Sequence, residues 1–366
     1  MLKFYWVLLF CSTMLFAQNQ NTIESIPPGY YNNAIGFTGY TLKTKLKTII
    51  TNGHVGKSYN TLFTDVKGFK ATDVDNYYEN DGSVLDMYSE KPTATDAYNY
   101  SYYANDKCGN YQGESDCFNG EHMVPQSTYN SQMPMVGDIH QLTPTDGYVN
   151  NRRSNFPFAN VPNPSWTSTN GSKLGSISIS GYSGNAFEPI NEFKGDIARI
   201  MFYFATRYET QVDGYDFPMY NGTENQVFKL AFLEMLWQWH NLDPVSDFEI
   251  NRNDKAYLYQ GNRNPYIDHP EYVQLVWGQV LSAPNFEIFA NVSVYPNPSN
   301  IGRININSEI EIDEIQLINV NGQVMQLIQK PTAQNQTYVL DNLASGFYFV
   351  KLTADNQSVT KKLIVN

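Results

Sequence analysis

The hydrophobic pattern of this chain changes once, near Ala283–Pro284. Before that point apolar residues recur every three or four positions, the spacing of helices that bury one face, over residues 42–50, 194–208 and 227–241. Beyond it, apolar and polar residues alternate as in short strands; these strands are predicted at residues 303–306, 314–319, 323–329, 336–340, 346–353 and 358–365. The pattern predicts an α+β fold, with a mainly helical domain followed by a small all-β sandwich.

The chain has 366 residues, enough for two domains that each bury a core. We expect a signal peptide at residues 1–17, a first domain at 18–285 and the sandwich at 286–366. In the leader, Lys3 precedes the apolar run 4–10, and Ala17 is suited to signal cleavage. A transmembrane anchor is the alternative, but this run is shorter than a bilayer-spanning helix requires.

Cysteine content fits an exported protein. Cys11 lies within the predicted signal peptide, so the mature chain keeps only Cys108 and Cys117. An even pair in an oxidising compartment predicts a disulfide, with two free thiols as the alternative.

The segment 118–158 holds the residues best suited to chemistry. Glu121 and His122 are adjacent on a predicted strand, so one can bind a metal while the other acts on a nearby water. A second extended piece is predicted at residues 138–142, followed by a turn and a short helix on which Asn150 and Arg153 share a face. Oxygen ligands from Glu121 and Asn150 would suit Mg²⁺ rather than Zn²⁺.

In three pieces of this segment the sequence resembles the endonuclease I family, which are secreted nucleases of the ββα-metal (His-Me finger) type; the pieces are residues 121–125, 138–142 and 147–156. The resemblance extends over about residues 30–280 and includes a second matching run at 261–272. It implies that the helical domain is built around a ββα-metal motif.

The resemblance also implies roles for individual residues. His122 would be the general base, while Glu121 and Asn150 would hold Mg²⁺, with Ca²⁺ or Mn²⁺ as alternative ions. The family commonly carries arginine where this chain has Gly120. We therefore expect Arg153 or Arg152 to supply the cation that stabilises the transition state.

The C-terminal segment is similar to the sorting domain of type IX secretion substrates in three places, residues 295–298, 343–348 and 361–365. This similarity implies that the type IX machinery is a partner and that the protein is secreted, with cell-surface association as an alternative. We expect a monomer that is not stably inserted in a membrane.

These features together predict a Mg²⁺-dependent endonuclease that hydrolyses DNA, and RNA as a further substrate, to products with 5′-phosphate ends. The formal net charge of −12 argues against tight nucleic-acid binding, although an enzyme that turns over needs only a local positive field. The alternatives are a non-enzymatic secreted adhesion protein and a phosphodiesterase for another extracellular phosphate ester.

Several other polar residues allow two interpretations. His140 could position the metal site or satisfy a buried hydrogen bond. Asp196 and Arg199 could form a structural ion pair or contact phosphate, and the polar run 261–272 is expected to form a buried network. Residues 84–89 are predicted to form a core strand.

Overall fold

The computed structural model describes residues 26–282, 289, 291–320, 323–354 and 357–366. Three features predicted from the sequence lie outside the described residues: the signal peptide with Cys11, the position of the domain boundary at 285, and the tight hairpin turn that the dipeptide Asn321–Gly322 favours between two strands of the tail.

The region before residue 283 is mainly helical. Its helices are α1 (Gly39–Thr51), α2 (Tyr59–Thr64), α3 (Phe69–Thr72), α4 (Gly147–Arg153), α5 (Lys194–Arg207), α6 (Leu230–Leu242), α7 (Asp247–Gln260), α8 (Pro265–Asp268) and α9 (Tyr272–Ser282). The central helix is α5, which is buried along almost its whole length and packs against α1 and α6. The predicted periodicity of α1 is confirmed, because Leu42, Leu46 and Ile50 all face the core.

Two antiparallel strands and helix α4 are consecutive in this region. Strand β1 (Phe118–His122) pairs with β2 (Leu142–Asp146), with Phe118 opposite Asp146 and His122 opposite Leu142. Helix α4 starts directly after β2 because the Asp146 carboxylate accepts a hydrogen bond from the backbone N–H of Val149 at 2.8 Å.

The second strand lies four residues later than predicted. Residues 138–141 form a turn rather than a strand, because Asp138 is buried and accepts hydrogen bonds from Tyr203, Tyr208 and Gln260. Pro144 is tolerated inside β2 because this sheet has only two strands. One edge of β2 therefore has no partner strand, and the missing N–H of Pro144 costs no hydrogen bond on that edge.

A three-stranded sheet completes this region, formed in sequence order by β3 (Trp166–Thr167), β4 (Lys173–Ile179) and β5 (Tyr182–Glu188). The predicted core strand at residues 84–89 is wrong. Only Val84 forms a bridge, and the Asp86 carboxylate accepts hydrogen bonds from the Tyr88 N–H and the Ser89 hydroxyl, which closes a turn.

The predicted disulfide between Cys108 and Cys117 is confirmed, with the two Cα atoms 5.7 Å apart. It closes a short loop at the start of β1. The N–H of Cys108 donates to the Phe118 carbonyl, so the loop is also fixed to the strand by its backbone.

The predicted buried polar network near the end of this region is confirmed as well. Arg263 contacts Asp254 at 2.6 Å and Asp268 at 2.7 Å, and Asn253 donates to Asp268. These charged and polar groups thus pair with one another in the core.

The C-terminal region is all β, and the six predicted strands are confirmed to within one or two residues. Strands β6 (Ser293–Tyr295), β7 (Ile304–Asn307) and β10 (Thr337–Leu340) form one antiparallel sheet with β7 in the middle. The other sheet has the order β12 (Gln357–Val365), β11 (Gly346–Ala354), β8 (Glu314–Asn319) and β9 (Val324–Gln329). Buried side chains from both sheets form one core.

Within the described ranges, no helix combines the length and apolar character needed to cross a membrane.

Candidate active site

A polar cleft of about 340 Å³ opens beside β1 and α4. Its lining includes four of the five predicted site residues, namely Glu121, His122, Asn150 and Arg153. The fifth, Arg152, does not line the cleft. The strand pair and the helix that follows it bring these residues together from positions about thirty apart in the chain.

Glu121 is 1% exposed and forms an ion pair with Arg153, its Oε1 lying 2.6 Å from the Arg153 Nη1. The other carboxylate oxygen, Oε2, is buried and receives no well-formed hydrogen bond from a described residue, although the Tyr88 hydroxyl is close enough to help lower the pKa of Glu121. Burial raises the pKa of Glu121 to about 7, and Arg153 opposes that rise. A buried carboxylate oxygen without a donor is well suited to bind a cation.

Arg153 is nearly as buried as Glu121, and each of its terminal nitrogens has a backbone partner. Its Nη1 also donates to the His122 carbonyl at 2.9 Å, and its Nη2 donates to the Met123 carbonyl at 2.6 Å. The guanidinium lies 4.4 Å from the centre of the Phe158 ring. Arg153 thus fixes the end of β1 to helix α4 while it neutralises Glu121.

His122 has one ring nitrogen in a hydrogen bond. Its Nε2 lies 3.1 Å from the Val136 carbonyl, which can only accept, so Nε2 carries the proton and Nδ1 keeps its lone pair. Burial lowers the pKa of His122 to about 4, so the ring is neutral at neutral pH. The Tyr59 ring stacks on it with the ring centres 5.7 Å apart, which fixes the orientation of the imidazole.

Asn150 points its amide in a fixed direction. Its Nδ2 donates to Asn119 Oδ1 at 2.7 Å and to the Gly120 carbonyl at 3.3 Å. Because the nitrogen is held by these two acceptors, Oδ1 is the atom left for a ligand. Glu121 and Asn150 together therefore present oxygen donors to one cleft, a donor set that fits a hard divalent cation.

Arg152 lies on the exposed side of α4. Its Nη2 donates to the Tyr148 hydroxyl at 2.7 Å, and its guanidinium lies 5.4 Å from the centre of the Trp166 ring. His140 is also outside the cleft. Its Nε2 lies 2.9 Å from the Asn262 carbonyl in the core, so of its two possible roles His140 has the buried hydrogen bond.

Arg199 and Asp196 form the structural ion pair that was considered for them, at 3.3 Å, and Arg199 also contacts Glu249 at 2.6 Å. Neither residue lines the cleft beside β1.

Among the cleft residues that sequence reasoning missed, Asn119 and Tyr59 contact the predicted site residues directly. Asn119 lies two positions before Glu121 on β1, and the two-residue period of a strand could have revealed that they share a face. Tyr59 is remote in sequence, and only the fold brings it here. A Cβ at Gly120 would lie 2.8 Å from the Tyr59 ring, so the absence of a side chain at this position makes room for the tyrosine.

Comparison with known proteins gives two family matches. Residues 38–271 match the family model described as endonuclease I, and residues 293–366 match the one described as a secretion system C-terminal sorting domain.

Three relatives are similar to this chain. The extracellular ribonuclease of Bacillus amyloliquefaciens is 34% identical over 275 residues, which cover 72% of this chain and 84% of the relative. The extracellular ribonuclease of Bacillus subtilis (strain 168) is 35% identical over 253 residues, covering 68% and 78%. Endonuclease-1 of Buchnera aphidicola subsp. Baizongia pistaciae is 30% identical over 131 residues, covering 36% and 45%.

Proposed function

This chain belongs to the endonuclease I family, and on that premise we propose that it is a secreted, Mg²⁺-dependent endonuclease that cleaves DNA and RNA without sequence preference. Two relatives are named as ribonucleases and one as an endonuclease, which supports testing both nucleic acids. The C-terminal match supports export through the type IX machinery.

One observation carries the proposal. A neutral imidazole with a free Nδ1 and a buried carboxylate with an unused Oε2 line the same polar cleft. The first can accept a proton from water, and the second can hold a cation. Hydrolysis of a phosphodiester needs both functions, because the attacking water must lose a proton while negative charge develops on the phosphate oxygens.

His122 is the general base of this proposal. Its Nδ1 takes a proton from the attacking water as the oxygen bonds to phosphorus in line with the leaving 3′-oxygen. The P–O3′ bond breaks, the 3′-oxygen takes a proton from solvent, and the products carry 5′-phosphate and 3′-hydroxyl ends. The Val136 carbonyl accepts from the opposite ring nitrogen, and this hydrogen bond strengthens as the ring gains positive charge because Nε2–H becomes a stronger donor.

Glu121 and Asn150 are the proposed ligands of the ion. Bound there, Mg²⁺ would act as a Lewis acid on a non-bridging phosphate oxygen and offset the charge on the leaving oxygen. Asn119 orients the Asn150 amide, and Arg153 opposes the rise in the pKa of Glu121 that burial causes, which favours the ionised carboxylate. On this ground we assign Arg153 a positioning role. That Arg153 or Arg152 stabilises the transition state as a cation stays a prediction, which the variants Arg153→Met and Arg152→Met test.

The direct test is cleavage of supercoiled plasmid DNA and of a structureless RNA by the purified chain, with MgCl₂ and with EDTA. We expect both substrates to be cut with Mg²⁺ and neither with EDTA. We also expect a ligase to rejoin the DNA products directly, and to fail once a phosphatase has removed their 5′-phosphates. The matched variant is His122→Asn, which keeps a polar group of similar size but cannot act as a base.

Four results would contradict the proposal. Equal cleavage rates with EDTA and with MgCl₂ would show that the reaction does not depend on a metal. Full activity of His122→Asn would show that His122 is not the general base. Cleavage of a small phosphodiester such as bis(p-nitrophenyl) phosphate without cleavage of either polymer would favour a different phosphate ester, and no cleavage of any substrate would favour an adhesion protein.

A further inference from the structure

A second group of acidic side chains lies away from the cleft, around a loop that follows α3. This acidic loop, residues 75–83, is closed by two backbone hydrogen bonds, from the Asp75 N–H to the Ser83 carbonyl and from the Gly82 N–H to the Asp75 carbonyl, each 3.0 Å. The Asp75 carboxylate accepts from the N–H groups of Tyr77, Tyr78 and Asn80 and so organises the loop from inside.

Asp75, Glu79 and Glu90 each offer a carboxylate oxygen to one small volume, with the three atoms within 4.8 Å of one another. Asp75 and Glu90 are each only 1% exposed. Opposite ligands of a Ca²⁺ ion, each about 2.4 Å from the metal, lie up to about 4.8 Å apart. The spacing therefore matches the first shell of such an ion.

Glu90 is the decisive member. Its Oε1 is buried and receives no hydrogen bond from an N–H or hydroxyl group of the described residues, and the same holds for the Oε2 of Glu79, which faces the Glu90 carboxylate at hydrogen-bond range. Within the described chain, no lysine or arginine lies within ion-pair distance of Asp75, Glu79 or Glu90. An unpaired buried carboxylate is costly, so this oxygen needs a cation or a proton.

We propose that Asp75, Glu79 and Glu90 bind one Ca²⁺ ion, at a site separate from the one formed by Glu121 and Asn150. The three ligands are all hard oxygens, which excludes a preference for zinc or copper. Three carboxylates suit the larger, less directional Ca²⁺ better than Mg²⁺, which keeps several of its waters. A secreted protein meets Ca²⁺ at the concentrations that such extracellular sites use.

The alternative is that the group shares a proton. Burial, together with the negative charges of Asp96, Glu79 and Asp75, raises the pKa of Glu90 to about 9. A protonated Glu90 could donate to Glu79, but a divalent ion compensates all three carboxylates at once. The two cases can be distinguished, because Ca²⁺ binding would release the proton from Glu90 into solution, whereas a shared proton stays bound.

The site would act on the segment that leads to the cleft. Glu90 ends the turn 86–90, and Asn170 fixes that turn by donating to the Met87 and Glu90 carbonyls. Tyr88 lies inside the turn, and its pKa is raised by burial and by the nearby charge of Glu121. A Ca²⁺ ion at Glu90 would therefore hold the backbone that places Tyr88 beside the cleft.

The test is equilibrium dialysis of the full mature chain against ⁴⁵Ca²⁺ with a large excess of MgCl₂, in a Glu121→Gln background that disables the ligand in the cleft. We expect one Ca²⁺ per chain. Adding Glu90→Gln, which keeps the side-chain shape and removes the charge, should weaken binding by about tenfold or more. Glu192→Gln changes an exposed acid elsewhere and serves as the matched control.

A second measurement covers the case in which the Glu90 variant folds poorly. The thermal unfolding midpoint of the Glu121→Gln chain, which lacks the charged ligand of the cleft, should rise with millimolar CaCl₂ and not with equal MgCl₂. No Ca²⁺ in dialysis, equal binding by the Glu90→Gln chain, or a midpoint unchanged by Ca²⁺ would overturn the proposal. If Glu90→Gln raises the midpoint of the Glu121→Gln chain without Ca²⁺, while the Glu121→Gln chain itself does not respond to Ca²⁺, the group shares a proton instead. None of these readouts uses nuclease activity, so their failure leaves the proposed function intact.

Discussion

Replacing Arg153 by methionine separates its role from that of its neighbour Arg152. The substitution removes the ion pair with Glu121 and the donors to the carbonyls of His122 and Met123, all inside the protein. Breaking a buried ion pair by deleting one partner costs about 3–5 kcal/mol. Arg152→Met is the matched control. It loses only contacts of an exposed side chain with Tyr148 and Trp166, for which about 1 kcal/mol or less is expected.

The free energy of unfolding that Arg153→Met loses should depend on pH, because only the ionised form of Glu121 is stabilised by the arginine. The folded-state pKa of Glu121, about 7, lies above its ordinary value of 4.5. Its contribution to stability is thus fully present below pH 4.5 and is lost as the pH rises through 7. Without Arg153 this pKa rises further, so the difference in unfolding free energy between variant and wild type should be larger at pH 8 than at pH 5.

Urea denaturation of both variants at pH 5 and pH 8 gives these free energies, and Mg²⁺ titration of the cleavage rate gives the functional role. If Arg153 acts through Glu121, its loss raises the Mg²⁺ concentration needed for half-maximal rate at pH 7, and a higher pH restores the wild-type value. A lower rate at saturating Mg²⁺ at every pH would instead assign Arg153 to the transition state. Equal stability of the two variants at pH 8 would refute the reasoning.

Four further outcomes are expected. His122→Ala should lower the cleavage rate by about 10²–10⁴-fold while the circular dichroism spectrum stays unchanged; wild-type rates would contradict this. Asn150→Ala should raise the Mg²⁺ needed for half-maximal rate, and an unchanged titration would remove Asn150 from the ligand set. Cys117→Ser should lower the free energy of unfolding by about 2–3 kcal/mol in urea, with Cys11→Ser as a control of no effect on the mature chain. A chain ending near residue 285 should cut DNA normally but fail to reach the medium of the native host, and normal secretion would refute the sorting role.

Local sequence information was enough for the elements whose burial pattern follows a single period. Leu42, Leu46 and Ile50 recur at helical spacing and lie on the buried face of α1, and the alternation in the tail locates its strands closely. These predictions succeed because a helix or a strand with one buried face must repeat its apolar residues at its own period. The pairing of Cys108 with Cys117 follows from the number of cysteines alone, because only these two remain once Cys11 is assigned to the signal peptide.

The second strand and the turn at residues 84–89 required the tertiary structure. Asp138 and Asp86 are both buried acids whose carboxylates collect hydrogen bonds from distant or neighbouring groups, and each converts a segment of strand-like composition into a turn. A sequence does not show where such donors will come from, because Tyr203 and Tyr208 lie more than sixty residues away from Asp138.

The candidate site divides in the same way. Glu121, His122 and Asn150 could be proposed from residue type, order and resemblance, since the chemistry needs a base and oxygen ligands close together. Sequence could not separate Arg152 from Arg153, because adjacent positions on a helix point in directions about 100° apart, and only packing decides which one is buried. The group formed by Asp75, Glu79 and Glu90 likewise exists only in the fold, which closes a loop and a turn onto one another and leaves a buried carboxylate oxygen without a partner.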